Sequence, residues 1–451
     1  MMPPDQVATG LADALLAGLS SAEDFAARTA EALGRKPRWI RSFARRVFKR
    51  FGSGLAYIQR RELIEFIRSD AGYCKAWTAS SQPRIRRYFL AVPPMGPRPG
   101  ALADCVLPEL PAPGDLAAWL GITIPELEWF ADLSGMIGSS EGALCHYHYK
   151  WIPKRHGDYR MIESPKARLS AIQTKILREI LDLIPTHQAA HGFRRGHSCL
   201  TYVAPHVGKL VVLRMDLRNF FGSIPSGRVS ALFKTLGYPE ETARYLAGLC
   251  TNRLPVHAAL KSPGADSGFV LPWLERKKLN EPHLPQGAPT SPALANLCAL
   301  HLDFRLAALA SKLNADYTRY ADDLAFSGNE PVRRKIGHLS TLVAAIALDE
   351  GFEVNFRKTR AMHKSDRQIL TGIVVNERTN LQRKEYDRLK AILHNCLRFD
   401  PDSQNRDGHR DFRAHLLGRV NHLKNLNQQR GLKLQALLER IEWQAGAGEP
   451  E

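Results

Sequence analysis

Apolar positions in the first third of the chain recur at helical spacing. Leu11, Leu15, Leu16 and Leu19 share a helical face, and Phe25 continues the pattern beyond Ser20–Ser21. Trp39, Ile40, Phe43, Val47, Phe48 and Phe51 make a second stripe, and Leu63, Ile64, Phe66 and Ile67 a third. Between residues 93 and 114 stand Pro93, Pro94, Pro97, Pro99, Pro108, Pro111 and Pro113. Such a run cannot continue a helix and reads as a linker or an extended strap. After it, Asp115–Leu120 and Pro125–Leu133 predict short helices, the second with Pro125 in its first turn and Glu126 and Glu128 near its N-terminus.

From Tyr149 the rhythm changes. Short apolar strands, Lys209–Met215, Tyr317–Tyr320, Leu324–Ser327, Phe352–Asn355 and Ile369–Val375, alternate with helical stretches. Helices return from Arg383, over Lys384–Leu397, Asp411–Asn425 and Leu432–Ala445. The pattern predicts an α+β chain. A helical N-terminal extension (1–92) is followed by a Pro-rich linker with short helices (93–148), a mixed domain (149–376) and a helical tail (377–451).

Charge sharpens this picture. The 451 residues carry 63 Lys and Arg against 45 Asp and Glu, a net +18, which points to a polyanion such as nucleic acid. Residues 150–376 alone hold 32 basic and 19 acidic side chains, so most of the excess lies in the mixed domain. Arg28 to Arg61 contains eleven basic residues and one acid, Glu31, interleaved with the aromatic stripe. That arrangement fits a nucleic-acid-binding helix and equally an ordinary helix with a charged outer face. No apolar span is long enough to cross a membrane, and no basic residue precedes the first apolar stretch as in a signal peptide. Seven cysteines without a CxxC pair argue against a disulfide framework and fit a reducing, cytoplasmic setting. Cys145-His146-Tyr147-His148 lacks an evident fourth ligand, and strand alternation divides it between two faces, against zinc.

Three acids stand in unusual settings. Asp216 ends a nearly all-apolar strand, and Asp322 and Asp323 lie where two strands meet in a tight turn. Turn aspartates are commonly structural, but a carboxylate at an apolar strand end needs a cation or a donor. Carboxylates converging from a strand end and a hairpin can hold Mg²⁺, an oxygen-seeking ion that completes its shell from water and substrate phosphates.

Tyr320-Ala321-Asp322-Asp323 resembles the catalytic YxDD box of reverse transcriptases. Met215-Asp216-Leu217-Arg218-Asn219-Phe220-Phe221 resembles their first palm motif, and Leu284-Pro285-Gln286-Gly287 followed by Ser291-Pro292 resembles their LPQG…SP motif. The resemblance covers roughly 150–376, with a thumb-like reading beyond. It implies a right-hand fold of fingers, palm with antiparallel sheet and helical thumb. It also implies RNA-directed DNA synthesis on two Mg²⁺ ions, with Mn²⁺ as a substitute, held by Asp216, Asp322 and Asp323. Lys154-Arg155 with Tyr159-Arg160-Met161-Ile162 resembles the family's fingers segment, which implies that Lys154, Arg155 and Arg160 grip the dNTP triphosphate. The resemblance further implies that Gln286 and Gly287 face the nucleotide, that Lys358 (in Asn355-Phe356-Arg357-Lys358) approaches the pyrophosphate, and that Phe221 gates the sugar. Each has a plain alternative: a solvated hairpin, a Pro-rich turn, an exposed lysine, a core phenylalanine.

Ala190-His191-Gly192-Phe193-Arg194-Arg195-Gly196-His197-Ser198, with His206 ahead of the Asp216 strand, resembles the retron group. Two boxes depart from it. Tyr202-Val203-Ala204-Pro205-His206 keeps only the His of the usual Asn-Ala-x-x-His, and Leu370-Thr371-Gly372 stands for Val-Thr-Gly. The resemblance implies a structured non-coding RNA as primer and template. Its product would be branched RNA–DNA (msDNA), used in antiviral defence with an accessory effector protein. A non-retron defence reverse transcriptase and a catalytically idle RNA-binding scaffold are the alternatives. The thumb-like tail, with Arg383, Lys384, Arg388, Lys390, Arg398, Arg413, Arg419 and Lys424, would hold the RNA.

Overall fold

The computed structural model describes residues 2–17, 21–52, 55, 58, 60–78, 82–89, 95–136, 144–154, 159–255, 258 and 273–443. The chain forms two compact units. One joins Met1–Pro185 to Phe221–Cys298, and the other joins Thr186–Phe220 to Ala299–Glu451.

In the first unit the apolar stripes near the N-terminus become α1 (Pro4–Leu16), α2 (Ala22–Leu33), α3 (Ile40–Phe51), α4 (Arg60–Ser69) and α5 (Ala71–Thr78). Ser21 starts α2 by accepting the Asp24 N–H, and Gly34, at φ 63°, ends it. Leu11, Leu15, Phe25, Phe43, Val47, Leu63 and Ile67 form the buried core of this bundle, with Trp39 and Phe51 packed against it. Asp70 fixes α3. It accepts two hydrogen bonds from Arg46, at 2.6 and 2.9 Å, and also the Gly72 and Tyr73 N–H groups at the start of α5.

The two short helices after the Pro-rich stretch run over Pro113–Leu120 (α6) and Ile124–Ala131, the second begun by a Thr123–Glu126 capping box. Pro93 and Pro94 lie outside the described residues. Next comes an antiparallel hairpin, β1 (Tyr147–Pro153) with β2 (Tyr159–Pro165). The strand starts at Tyr147, so its alternation does not reach Cys145 and His146. Both are buried, and His146 Nε2 bonds the Trp129 carbonyl at 2.8 Å. All seven cysteines are free thiols.

The second unit is built on a four-stranded antiparallel sheet. In spatial order its strands are β4 (Asp316–Tyr320), β5 (Asp323–Gly328), β3 (Val211–Asp216) and β6 (Arg360–His363). Every β3 residue except Arg214 is buried, as its apolar run requires. Two predicted strands come out differently. Residues 352–355 make only the Val354–Leu217 bridge, because the Lys358 and Thr359 N–H groups turn back onto the Asn355 carbonyl and end the pairing. The predicted strand over 369–375 is a hairpin, β7 (Ile369–Leu370) and β8 (Ile373–Val374), with β9 (Asn380–Leu381) beside β8. Thr371 at φ 46° and Gly372 at φ 86° reverse the chain there.

Three helices close the described chain, α8 (Arg383–Arg398), α9 (Phe412–Leu426) and α10 (Gln428–Leu438), around Leu389, Leu393, Leu416, Val420 and Leu434. The last begins earlier than its apolar pattern suggested, because the Asn427 side chain caps it by accepting the Arg430 N–H. Its predicted final residues, 444 and 445, lie outside the described residues. No single helix among the described residues is long and apolar enough to cross a membrane.

One buried ion pair ties this sheet to the helix α7 (Leu300–Lys312). Arg319 on β4 and Asp303 on α7 are both fully buried, bonded at 2.8 and 2.6 Å. Tyr317 Oη donates to the same carboxylate at 2.8 Å. Removing one member strands a buried charge, whereas replacing both with apolar side chains does not. Arg319→Leu is therefore expected to destabilise the protein by about 3–5 kcal/mol in denaturant unfolding. The double change Asp303→Leu with Arg319→Met should recover most of that loss.

Candidate active site

The strand pairing itself assembles the acidic site. In the antiparallel register Asp216 lies opposite Asp323, and Tyr320 pairs with Asp323 to close a two-residue turn, Ala321–Asp322. Ala321 has φ 56°, a conformation costly for a residue with a Cβ. Neighbouring groups hold it there. Arg319 Nη1 donates to the Ala321 carbonyl at 3.1 Å, and the Leu217 N–H donates to the Asp322 carbonyl at 2.8 Å. On the far side of β4, residues 189–191 run alongside as a parallel bridge. The Arg319 N–H bonds Ala189 at 2.7 Å, and the His191 N–H bonds Arg319 at 2.8 Å. Gly192 then passes so close that a Cβ on it would stand 2.6 Å from the Ala321 nitrogen, so only glycine fits.

His206 braces the hairpin from beneath. It is fully buried and hydrogen-bonded through Nδ1 to Ser327 and through Nε2 to Thr318, each at 2.7 Å. Burial pushes its pKa down to about 4, so it serves as a neutral clamp between β4 and β5.

The carboxylates do not share one environment. Asp216 is nearly buried, and its two oxygens accept hydrogen bonds from Lys358 Nζ at 2.9 Å. The Asp216 carbonyl also accepts the Asn355 N–H at 2.7 Å, which brings the segment carrying Lys358 against the strand end. Asp323 is turned to Arg214, whose Nη2 lies 2.7 Å from Oδ1. Burial raises the Asp323 pKa against the opposing pull of Arg214. Among the described residues Asp322 makes no such ion pair. Burial, then repulsion from Asp216 and Asp323, push its carboxyl up to about 6.

Lys358 balances Asp216, while Asp322 adds a further hard oxygen donor with no ion pair of its own among the described residues. A divalent cation fits that donor set. Among the described residues no group of three or more His, Cys, Asp or Glu is placed to share one ion. A cation would hold to Asp216 and Asp322 and complete its shell from water and substrate oxygens.

Phe220 is buried, its ring 5.5 Å from Phe352, with the Arg319 guanidinium 5.7 Å from its centre. Phe221, the next residue, is half-buried.

The other predicted substrate residues belong to the first unit. Lys154 and Arg160 are exposed, at the end of β1 and on β2, and Arg155 lies outside the described residues. Gln286 and Gly287 lie against β2. The Glu163 N–H donates to the Gln286 carbonyl at 2.9 Å, and a Cβ on Gly287 (φ 131°) would meet the Glu163 carbonyl at 3.0 Å. Glu163 itself is a buried node that sequence reasoning missed. Its carboxylate accepts from Asn252 at 2.7 Å and meets His283 Nε2 at 3.0 Å. Burial pushes the His283 pKa down, but Glu163 outweighs it and leaves the imidazole above its ordinary value. The available signal was periodicity: Glu163 shares a strand face with Met161, an acid on an apolar face.

A family model described as Reverse transcriptase (RNA-dependent DNA polymerase) matches residues 152–389. The chain is 38% identical over 345 residues to the retron Mx65 reverse transcriptase of Myxococcus xanthus, covering 75% of this chain and 74% of that one. It is 37% identical to the retron Mx162 reverse transcriptase of the same organism, over 64% of this chain and 59% of the other. It is 30% identical to the retron Ec86 reverse transcriptase of Escherichia coli, over 55% and 69%. The helical N-terminal region and the mixed helix-and-sheet body agree with the right-hand polymerase fold of this family. An antiparallel sheet that carries Asp216 at a strand end and Asp322-Asp323 at a hairpin, within a chain so matched, identifies the protein as a member of the reverse transcriptase family, an RNA-directed DNA polymerase of the retron type.

Proposed function

We propose that this enzyme copies part of a cognate structured non-coding RNA, which also primes the reaction, into DNA joined to that RNA by a 2′–5′ branch. The observation that carries the reading is the pairing of the Asp216 strand end with a strained hairpin tip bearing Asp322 and Asp323, a cluster of carboxylates that suits a divalent cation. Reverse transcriptases depend on a divalent metal, and we take it to be two Mg²⁺ ions. When bound, they activate the attacking hydroxyl and neutralise the leaving pyrophosphate. Asp216 and Asp322 would hold them, with Asp323 alongside.

The chain's own groups do the rest. Lys154 and Arg160 supply exposed cations for the triphosphate of the incoming dNTP. Gln286 and the bare backbone of Gly287 receive its base and sugar. Lys358 neutralises Asp216, 2.9 Å away, and gives a proton to the departing pyrophosphate. Phe221 presses where a 2′-hydroxyl would project. Basic side chains on α8 and α9, Arg388 and Arg419 among them, grip RNA phosphates. The branched product serves antiviral defence with an accessory effector protein.

The direct test is to express the native locus and sequence the nucleic acid that copurifies. Wild-type protein should yield a short DNA joined to RNA through a 2′–5′ linkage. Asp322→Asn should yield the RNA without DNA. Unbranched DNA from the wild type would favour a non-retron defence enzyme, and undiminished DNA from the variant would remove Asp322 from the chemistry. For the sugar gate, Phe221→Ala should raise ribonucleotide incorporation relative to deoxynucleotide; unchanged selectivity in that assay excludes the role.

A further inference from the structure

The N-terminal helical bundle lies wholly outside the region matched by the reverse transcriptase family model. Its sequence allowed two readings of the basic, aromatic-rich stretch, and the structure satisfies both at once. The apolar positions of α3, Ile40, Phe43, Ala44 and Val47, point into the bundle core. The cations point out. Arg41, Arg45 and Lys49 stand at intervals of four residues on one face of α3, with Arg38 in line just before the helix, and all four are exposed. No Asp or Glu occurs from residue 32 to residue 61.

Among the described residues these four make no ion pair. The acids nearby are engaged elsewhere: Asp70 with Arg46, Asp13 with Arg60, Asp5 with Arg68 and Glu31 with Arg87. Arg46 shows the contrast on the same helix, for it is pinned by Asp70 and locks α3 in place. The stripe is therefore a row of uncompensated charges on a rigid, anchored rod. Its members are about one helical turn, roughly 5.4 Å, apart. Phe48, 41% exposed, adds an aromatic surface on the flank of the stripe.

We propose that this face of α3 is a docking surface for double-stranded RNA, gripping the phosphates of one strand with Arg38, Arg41, Arg45 and Lys49. The proposal rests on the reading of the enzyme as one that works on a structured RNA, and extends it to a segment with no assigned role. Charge complementarity selects a polyanion. A straight, fixed row of cations matches a stiff duplex with regularly spaced phosphates, recognised by shape and backbone without regard to base sequence. Arg supplies planar forks suited to phosphate oxygens at three of the four positions.

The test uses the full-length protein and, as probe, a blunt RNA duplex of arbitrary sequence, with binding measured across a salt series. Arg41→Gln/Arg45→Gln/Lys49→Gln should weaken binding about ten- to a hundred-fold near 0.15 M salt and lower the slope of log affinity against log salt by about two to three. The charge-keeping variant Arg41→Lys/Arg45→Lys should retain the wild-type slope, which separates charge from packing. All substituted side chains are exposed, so melting curves should coincide with wild type. Should the triple variant misfold, Arg45→Gln alone should lower the slope by about one. Wild-type affinity and slope in the neutralised variants would overturn the proposal. So would unaltered RNA binding with loss of binding to phosphatidylserine vesicles, which would assign the face to membranes. The same preparations are assayed for dNTP incorporation on a saturating, pre-annealed DNA primer and RNA template. Wild-type protein inactive there would refute the polymerase reading. Equal incorporation by wild type and triple variant with an unchanged duplex-binding slope would refute the docking surface alone.

Discussion

Repulsion between Asp216 and Asp322 is the constraint around which the second unit is organised. Burial strengthens it, because water can no longer screen the two charges. A flexible chain would relieve it by letting the hairpin tip swing away. This chain prevents that with cross-links of different kinds. The sheet register sets Asp216 opposite Asp323. Arg319, buried and paired with Asp303, donates to the carbonyl of the strained Ala321. His206 joins the two hairpin strands as a neutral bridge, and Gly192 lets a further backbone segment close over the turn. These contacts hold the hairpin tip in place although the Asp322 carboxyl is buried and repelled by Asp216 and Asp323. Lys358 on Asp216 and Arg214 on Asp323 neutralise two of the acids, and Asp322 is left as the acid with most to gain.

What was legible in the sequence was whatever is encoded locally. The Tyr320-Ala321-Asp322-Asp323 tetrapeptide between two apolar runs announced a hairpin, and the run before Asp216 announced a buried strand; both are present with small changes of boundary. Segments whose pairing depends on distant partners were harder. Residues 352–355 have the alternation of a strand, yet β6 takes the place beside β3. Residues 369–375 have a strand's composition, but Thr371 and Gly372 both adopt left-handed backbone, which composition does not reveal for threonine.

The supporting residues of the site were the least visible. Nothing in the sequence around Arg319 signals its burial, because its partner Asp303 lies on another element. Glu163, His283 and Asn252 likewise meet only in three dimensions, where they fasten the Gln286-Gly287 turn to β2. The basic N-terminal stretch shows the converse. Its aromatic and cationic residues supported rival readings, and helix geometry assigns them to opposite faces of one element.

The central claim, that the fold holds Asp322 against its neighbours for a cation, is tested most directly by comparing the stability of wild type and Asp322→Asn without metal across pH 4 to 8. The carboxyl is raised from its ordinary 3.8 to about 6, so the folded wild type retains a proton that the unfolded chain releases in that window. Wild-type stability should therefore fall, relative to the variant, as pH rises through the window. Above it the variant should be the more stable by up to about 3 kcal/mol. Added Mg²⁺ at neutral pH should close that gap by stabilising the wild type alone. A gap independent of pH, or equal stabilisation of both proteins by Mg²⁺, would contradict the account.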